Sequence, residues 1–354
     1  MQGAAAEQIG GSSTQLPFVS LVMSLRNEEK SLPASLAAVE EQDYPKDRYE
    51  LIAVDGGSTD RSVEVLKTFP LSMPHAVIAP GGNLTIPAAM NMGIDRARGE
   101  IIVKLDAHGY ASRNFVRVIV ERLRDEPDVA AVGGTIVQLG QTATAQANGW
   151  ARTSKFGAGR GPYTAGQEKS YVSSVQCGGY RREMLEKVGV FDEEIGVGED
   201  EELNWRLGQA GYRILFTPEI NFFYYARPTL RALFRQYLWY GDGRTVVVRK
   251  HPDFLRIKHL IPPLFLIALL SALVLAFWSG AGRYILAGIL AAYGAGLLIG
   301  SAQLAREKGW RYFPRFIGSF SAMHIGYGIG FLRGCWRYWM LSGQARFPTP
   351  KQRR

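Results

Sequence analysis

The stretch Ile101-Ile102-Val103-Lys104-Leu105-Asp106-Ala107-His108 governs the interpretation of the rest of this chain. Its branched apolar residues predict a buried strand that ends at Asp106. Residues two apart in an extended chain project to the same side, so Asp106 and His108 can bind one cation together. A single Asp-x-His pair is a weak signal, and the surrounding sequence must support it.

Apolar runs alternate with amphipathic segments on both sides of this stretch. The pattern predicts strands at 19–25, 51–54, 76–79, 129–138 and 213–217, and helices at 31–42, 62–69, 87–98 and 198–209. This alternation favours an α/β fold with a mostly parallel sheet and helices on both faces. Ligands bind beyond the carboxyl ends of such strands, where Glu28, Asp55 and Asp106 fall. Any one of these acids could instead cap a turn, the role we assign to Asp60.

Charge is divided unevenly along the 354 residues. Residues 227–354 hold 19 Lys and Arg against three acids, whereas residues 1–226 hold 22 against 29. An acidic front and a basic, apolar back predict a soluble domain on a membrane-bound tail. Excess positive charge is also typical of nucleic-acid binding. Here the bases flank long uncharged runs, so we expect no nucleic-acid partner.

Four regions follow from this division. Residues 1–16 lack the basic start and apolar core of a signal peptide and are expected to form a disordered leader. Residues 17–226 contain the α/β domain. Residues 227–259 predict a basic amphipathic helix, whose Arg227, Arg231 and Arg235 suit an anionic membrane surface or form an ordinary solvated face. Residues 260–354 predict a membrane region with a basic tail.

The membrane region contains two uncharged runs, 260–282 and 284–305, each long enough to span a bilayer. Arg283 and two glycines predict a tight turn between them. Bases flank the pair on both outer sides, so the positive-inside rule puts both ends in the cytoplasm. The run 316–332 is marginal, and we favour a re-entrant or interfacial placement because a third span would carry the basic tail across the membrane.

Two further motifs carry candidate chemistry. The acids of Glu199-Asp200-Glu201-Glu202 open a predicted helix, where acids favour the helix dipole. Four in a row exceed what capping needs, and their repulsion can raise one pKa and produce a base. The glycines of Cys177-Gly178-Gly179 allow close backbone approach to a ligand or form a turn. Cys177 and Cys335 are too far apart in sequence for a disulfide framework, which indicates a reducing compartment.

The motifs together resemble the inverting family-2 glycosyltransferases of the GT-A fold, from about Pro17 to Val248. The resemblance is carried by Asn27-Glu28-Glu29, Asp55-Gly56-Gly57-Ser58-Thr59-Asp60, Asn91-Met92-Gly93-Ile94, Leu105-Asp106-Ala107-His108, Cys177-Gly178-Gly179-Tyr180-Arg181-Arg182, and Glu199-Asp200-Glu201-Glu202-Leu203 with Arg206. Each motif alone is weak, but six in the family's order are a strong signal. The membrane-attached enzymes of succinoglycan-type exopolysaccharide assembly, which extend sugars on a polyprenyl-diphosphate carrier, are the most similar group.

The resemblance implies transfer of one sugar, with inversion, from a nucleoside-diphosphate sugar (UDP is the expected nucleotide) to a polyprenyl-(di)phosphate-linked acceptor. It implies Asp200 as catalytic base and a divalent cation on Asp106 and His108. The remaining roles are nucleotide-sugar binding by Glu28, Asp55, Asn91, Asp106 and Arg244, and an acceptor side of Gly178, Gly179 and Glu199. The enzyme would be a multi-pass protein of the cell membrane with a cytoplasmic catalytic domain.

The sequence departs from the family pattern at two places. The usual Asp-x-Asp reads Asp106-Ala107-His108, and because imidazole suits Mn²⁺ better than Mg²⁺ we expect Mn²⁺. The Gln-x-x-Arg-Trp of processive synthases falls on Gln236-Tyr237-Leu238-Trp239-Tyr240, which lacks the arginine. Arg244 is therefore expected to contact the diphosphate, and the enzyme is expected to be non-processive. A polyprenyl-phosphate sugar synthase, a processive polysaccharide synthase and a membrane scaffold with a degenerate transferase domain stay open as alternatives.

Overall fold

Nine strands form one mixed sheet in the computed structural model, which describes residues 16–157 and 168–337. The strands are β1 (Val19–Leu25), β2 (Tyr49–Asp55), β3 (His75–Ile78), β4 (Ile101–Asp106), β5 (Gly109–Ala111), β6 (Val129–Leu139), β7 (Ser170–Tyr171), β8 (Gly179–Arg181) and β9 (Arg213–Tyr225). Their order is β3-β2-β1-β4-β8-β6-β9-β5, and β7 pairs with β9. The predicted leader, apart from Leu16, and most of the predicted basic tail lie outside the described residues.

The first four strands run parallel, and their register sets the position of the acids. Leu25 pairs with Asp55 and Ser24 pairs with Asp106, so β1, β2 and β4 end at one edge of the sheet. Beyond β4 the sheet becomes mixed, because β8 inserts antiparallel to both β4 and β6. Gly179, the second glycine of the pair that suggested a turn, therefore begins a central strand. The predicted strand at 213–217 continues to Tyr225 as β9.

The helices of the α/β domain are α1 (Leu32–Glu40), α2 (Ser62–Thr68), α3 (Ile86–Arg96), α4 (Phe115–Asp125), α5 (Ala143–Arg152), α6 (Arg182–Val188) and α7 (Glu199–Gln209). Apolar side chains from both faces of the sheet pack under these helices into two large clusters. Thr85 caps α3 by accepting a hydrogen bond from the Ala88 amide, with Pro87 in the first turn where no backbone donor is needed.

Four long helices follow the domain: α8 (Leu230–Lys250), α9 (Ile257–Trp278), α10 (Gly280–Lys308) and α11 (Phe313–Cys335). Among the described helices, α9 and α10 are long and apolar enough to cross a membrane. The turn between them falls at Ser279 and not, as predicted, around Arg283. The Ser279 hydroxyl accepts a hydrogen bond from Gly282 N at 2.9 Å, which caps α10 and draws Arg283 into its first turn.

The marginal segment of the sequence is α11, which packs along α8. Glycines allow this close contact: a Cβ at Gly330 would lie 2.0 Å from the Leu238 carbonyl oxygen, and one at Gly241 would lie 2.2 Å from the Tyr327 carbonyl oxygen. The buried Asp242 of α8 pairs with Arg333 of α11 at 2.6 Å. Ser319 of α11 donates to Asn148 of α5 at 2.7 Å, so α11 also contacts the α/β domain.

The predicted amphipathic helix is α8. Its Arg231 and Arg235 are exposed, and its apolar side packs against α11. Arg227 precedes the helix and faces inward, where its charge is felt by Glu28. The predicted basic face is thus reduced to the two exposed arginines.

Candidate active site

Asp106, His108 and Glu28 lie together at the edge of the sheet where β1, β2 and β4 end. Asp55, the third acid predicted to converge there, instead accepts hydrogen bonds from its own turn. His108 Nε2 lies 3.9 Å from Asp106 Oδ2, and His108 Nδ1 lies 3.7 Å from Glu28 Oε1. Glu28 is held by Ser31, whose hydroxyl donates to Oε2 at 2.6 Å, and by its own amide, which donates to Ser62 Oγ at 2.8 Å. The ring of Tyr224 supports His108 edge-on at 4.8 Å between centroids.

The electrostatics of this trio suit a cation. Burial raises the pKa of Asp106, but Lys104 and His108 more than offset it, so the pKa lies well below the ordinary value. Burial lowers the pKa of His108 to about 4 despite the attraction of Asp106, so the imidazole is neutral at pH 7. A carboxylate and a neutral imidazole are the protonation states that bind metal ions.

The donor set fits a divalent cation only in part. Among residues 16–157 and 168–337, no group of three or more His, Cys, Asp and Glu side chains is arranged to hold a metal ion. Asp106 and His108 would therefore supply two ligands, with water or a bound phosphate completing the shell. Such shared coordination is usual for cations that act on nucleotides.

A buried lysine, which sequence reasoning missed, connects this trio to the acidic motif. Lys104 Nζ lies 3.2 Å from Asp106 Oδ1, 2.9 Å from Asp200 Oδ2 and 3.5 Å from Glu199 Oε1, and its side chain is only 2% exposed. The alternation of the strand contained the signal, because Lys104 stands two residues before Asp106 and projects to the same side.

Asp200 lies in the first turn of α7, after Gly198 with its left-handed backbone (φ 90°). Its Oδ2 accepts from Lys104, whereas its Oδ1 is buried and has no hydrogen-bond partner among the described residues. Burial raises the pKa of Asp200 to about 7, with Lys104 opposing the rise and Glu199 and Asp106 adding to it. The direction is the predicted one, but burial contributes more than the expected repulsion between acids.

Cys177 borders the Asp106 side of this cluster. Its thiol donates to Asp106 Oδ2 at 3.3 Å, and its backbone adopts a left-handed φ of 45° that non-glycine residues seldom adopt. Gly178 and Gly179, predicted on the acceptor side, are explained by packing. The Gly178 carbonyl accepts from Lys104 N at 2.9 Å, and a Cβ at Gly179 would lie 2.3 Å from Ile119 Cγ2.

Two predicted donor-binding residues are engaged elsewhere. The Asn91 amide bonds to both backbone groups of Phe191 and to Glu193, which fixes α3 to the segment before α7. Arg244 pairs with Glu201 at 2.5 Å and stacks over Phe254. The ion pair joins α7 to α8, and the Phe254 contact joins α8 to the segment that follows it. Neither contact involves the Asp106 cluster.

The two loop acids have structural partners. Asp55 is 4% exposed and accepts from the amides of Gly57 and Ser58 at 3.0–3.1 Å, so it organises the turn after β2. Asp60 accepts from the amides of Ser62 and Glu29, which confirms it as a turn residue.

Two other arginines do face the cluster. The guanidinium of Arg152 lies 4.7 Å from the centre of the Tyr224 ring. Burial lowers the pKa of His108 most and Asp106 raises it, and the positive charges of Arg227 and Arg152 lower it further. The charged and titratable groups that act on Arg227 are Tyr224, Tyr240, Glu28 and Arg152.

Comparison with known proteins identifies the domain. Residues 20–189 match the family described as Glycosyl transferase family 2. The chain is 28% identical over 264 residues to a Methanococcus voltae protein named dolichyl N-acetyl-alpha-D-glucosaminyl phosphate 3-beta-D-2,3-diacetamido-2,3-dideoxy-beta-D-glucuronosyltransferase, covering 73% of this chain and 81% of that protein. It is 28% identical over 332 residues to the succinoglycan biosynthesis protein ExoA of Rhizobium meliloti (strain 1021), covering 91% and 97%.

The solved structure of the mannosyltransferase PcManGT from Pyrobaculum calidifontis, in complex with GDP-Man and Mn²⁺, shares the fold. It aligns with a TM-score of 0.57 and 21% identity over 89% of this chain and 88% of that one. The predicted GT-A-like α/β fold, followed by apolar helices, is therefore confirmed.

Proposed function

This chain carries a glycosyl transferase family 2 domain, and we propose that it transfers one sugar from a nucleoside-diphosphate sugar to a polyprenyl-linked acceptor, with inversion at the anomeric carbon. The observation that carries the proposal is the pair of carboxylates joined by Lys104. Asp106 is held ionised beside His108, whereas Asp200 presents an unpartnered oxygen. An inverting transfer needs these two functions side by side, because one carboxylate serves the donor and the other serves the acceptor.

On the donor side, Asp106 and His108 would hold a divalent cation on the diphosphate, and imidazole ligation favours Mn²⁺. When bound, the cation would stabilise the negative charge that develops on the leaving diphosphate. The PcManGT structure, which contains GDP-Man and Mn²⁺ in the same fold, supports this assignment. Glu28 and the turn organised by Asp55 would border the nucleoside, for which UDP is the expected form.

The diphosphate would also contact Arg152 and Arg227. A guanidinium fork matches phosphate oxygens in geometry and charge. Arg227 takes part in no salt bridge among residues 16–157 and 168–337, so its charge is available to a ligand. This pair replaces Arg244 in the role that the sequence suggested.

On the acceptor side, Asp200 would act as general base. Its Oδ1 would take the proton from the acceptor hydroxyl as that oxygen attacks the anomeric carbon and the bond to the diphosphate breaks. A pKa near 7 suits this task, because the base is then both available and strong enough at neutral pH. Glu199, also paired with Lys104, would border the acceptor.

A lipid-linked acceptor agrees with the apolar helices. The hairpin α9–α10 leaves large apolar side chains exposed, among them Ile257 (82%), Phe277 (78%) and Trp278 (84%). Exposed apolar surface of this extent marks a membrane contact. The Methanococcus relative is named for a dolichyl-phosphate-linked sugar acceptor, and ExoA is named for succinoglycan biosynthesis. We infer a multi-pass enzyme of the cell membrane whose catalytic domain is cytoplasmic.

The test is a screen of nucleotide sugars with the purified full-length protein in lipid nanodiscs. Each donor is offered with a polyprenyl-diphosphate-linked saccharide and, separately, with polyprenyl phosphate. We expect Mn²⁺-dependent addition of one sugar to the saccharide, seen by mass spectrometry. Transfer to bare polyprenyl phosphate would identify a polyprenyl-phosphate sugar synthase, and long products would identify a processive synthase. No hydrolysis or transfer with any donor would contradict the proposal.

A further inference from the structure

We propose that Lys104 is a positioning residue that divides the two carboxylates between their tasks, an inference that rests on the proposed function of Asp200 and Asp106. The ammonium group binds one oxygen of each acid, Oδ1 of Asp106 at 3.2 Å and Oδ2 of Asp200 at 2.9 Å. The ammonium group does not bind the second carboxylate oxygen of either acid. Asp106 Oδ2 faces His108 and Cys177, and Asp200 Oδ1 stays without a partner among the described residues.

Burial makes this arrangement rigid. The Lys104 side chain is 2% exposed, and those of Asp200 and Glu199 are each 11% exposed, so water does little to screen their charges. One buried ammonium faces three carboxylates, and buried charges persist only when they are paired. The Lys104 amide also donates to the Gly178 carbonyl at 2.9 Å, which joins β4 at the lysine to the residue that precedes β8. The lysine thus sets the distance between the two acids as well as their charge.

Several groups face Asp200 and set its basicity. Lys104 and Asp106 reach it from β4, Glu199 from α7 itself, and Tyr180 and Cys177 from β8 and the segment before it. Burial raises the pKa of Asp200 most, Lys104 lowers it, and Glu199 and Asp106 raise it. Removing the lysine charge must therefore raise the pKa further, so that Asp200 loses its proton only at higher pH.

The experiment compares pH profiles of sugar transfer for the full-length enzyme and for Lys104→Gln, Lys104→Arg and Glu199→Gln. For Lys104→Gln we expect the acidic limb of kcat to move up by about one pH unit or more, which means a loss of about fivefold or more at pH 7 and partial recovery in alkali. Lys104→Arg keeps the positive charge, so the acidic limb of kcat should stay at the pH of the wild type. Glu199→Gln removes a negative charge and should move the limb down.

The opposite shifts of the acidic limb in Lys104→Gln and Glu199→Gln distinguish a positioning role of Lys104 from a purely structural one. If Lys104→Gln lowers kcat by the same factor at every pH, the lysine has only a structural role and the proposal fails. If Lys104→Gln does not fold, the proposal still depends on Glu199→Gln, and an unmoved or rising limb in that variant contradicts it. Absence of transfer by the wild-type enzyme would refute the proposed function instead, a result that the pH comparison does not resemble.

Discussion

Replacing Arg227 with Gln should weaken donor binding and leave the fold intact. The guanidinium forms no salt bridge within the described part of the chain. Glu28, whose pKa its charge helps to lower, keeps its hydrogen bond from Ser31 when that charge is removed. A hydrogen bond between a charged donor and a phosphate is worth about 1.5–3 kcal/mol. The dissociation constant for the nucleotide sugar should therefore rise by about 10- to 150-fold.

The assay is a calorimetric titration of the purified protein with a non-hydrolysable nucleotide-sugar analogue in Mn²⁺. The matched control is Arg231→Gln, which removes an exposed arginine four residues further along, at the start of α8. Both variants should keep the thermal midpoint of the wild type. A dissociation constant for Arg227→Gln within about twofold of the control would show that Arg227 does not contact the phosphates, because one charged hydrogen bond contributes more than that. Loss of affinity in Arg244→Gln alone would restore the sequence-based assignment.

Two further predictions concern the cation and the contact between α8 and α11. His108→Ala should raise the Mn²⁺ concentration for half-maximal activity by about tenfold or more, because one of two protein ligands is lost; full activity of the wild type in excess chelator would contradict the cation site. Asp242→Ala should lower the free energy of unfolding by about 2–3 kcal/mol. The loss is smaller than for breaking a fully buried ion pair, because Arg333 and Arg337 are 36% and 29% exposed. A thermal midpoint that falls no further than that of Asp253→Ala, an exposed acid, would show that the Asp242 pair contributes nothing.

Most strands and helices of the fold could be predicted from the spacing of apolar residues along the sequence. The strands β1, β2 and β4 were predictable because their apolar runs are short. β2 and β4 end at an acid, Glu28 follows three residues after β1, and parallel strands bring such ends to one edge. Strand β8 was not, because a Gly-Gly pair in a polar segment is typical of a turn. It is a strand because it pairs with both β4 and β6, and it begins with glycine because a Cβ at Gly179 would lie 2.3 Å from Ile119 Cγ2 of α4.

The candidate site was predictable where its residues follow strand ends and unpredictable where they do not. Asp106 ends β4, and His108 lies in the turn that leads to β5. Their proximity follows from their separation of two residues, although the predicted extended segment does not reach His108. Lys104 and Asp200 are 96 residues apart, and only the packing of α7 against the end of β4 brings them together. Arg244 was assigned by its position near a missing family arginine, but the direction of α8 turns it towards Glu201.

The most direct test of the account is Asp200→Asn in the full-length enzyme, measured for both donor binding and sugar transfer. The amide keeps the shape and volume of the side chain but cannot take the acceptor proton. We predict that transfer falls by about 100-fold or more while the dissociation constant of the nucleotide sugar stays close to that of the wild type. Substantial transfer by Asp200→Asn would show that Asp200 is not the base.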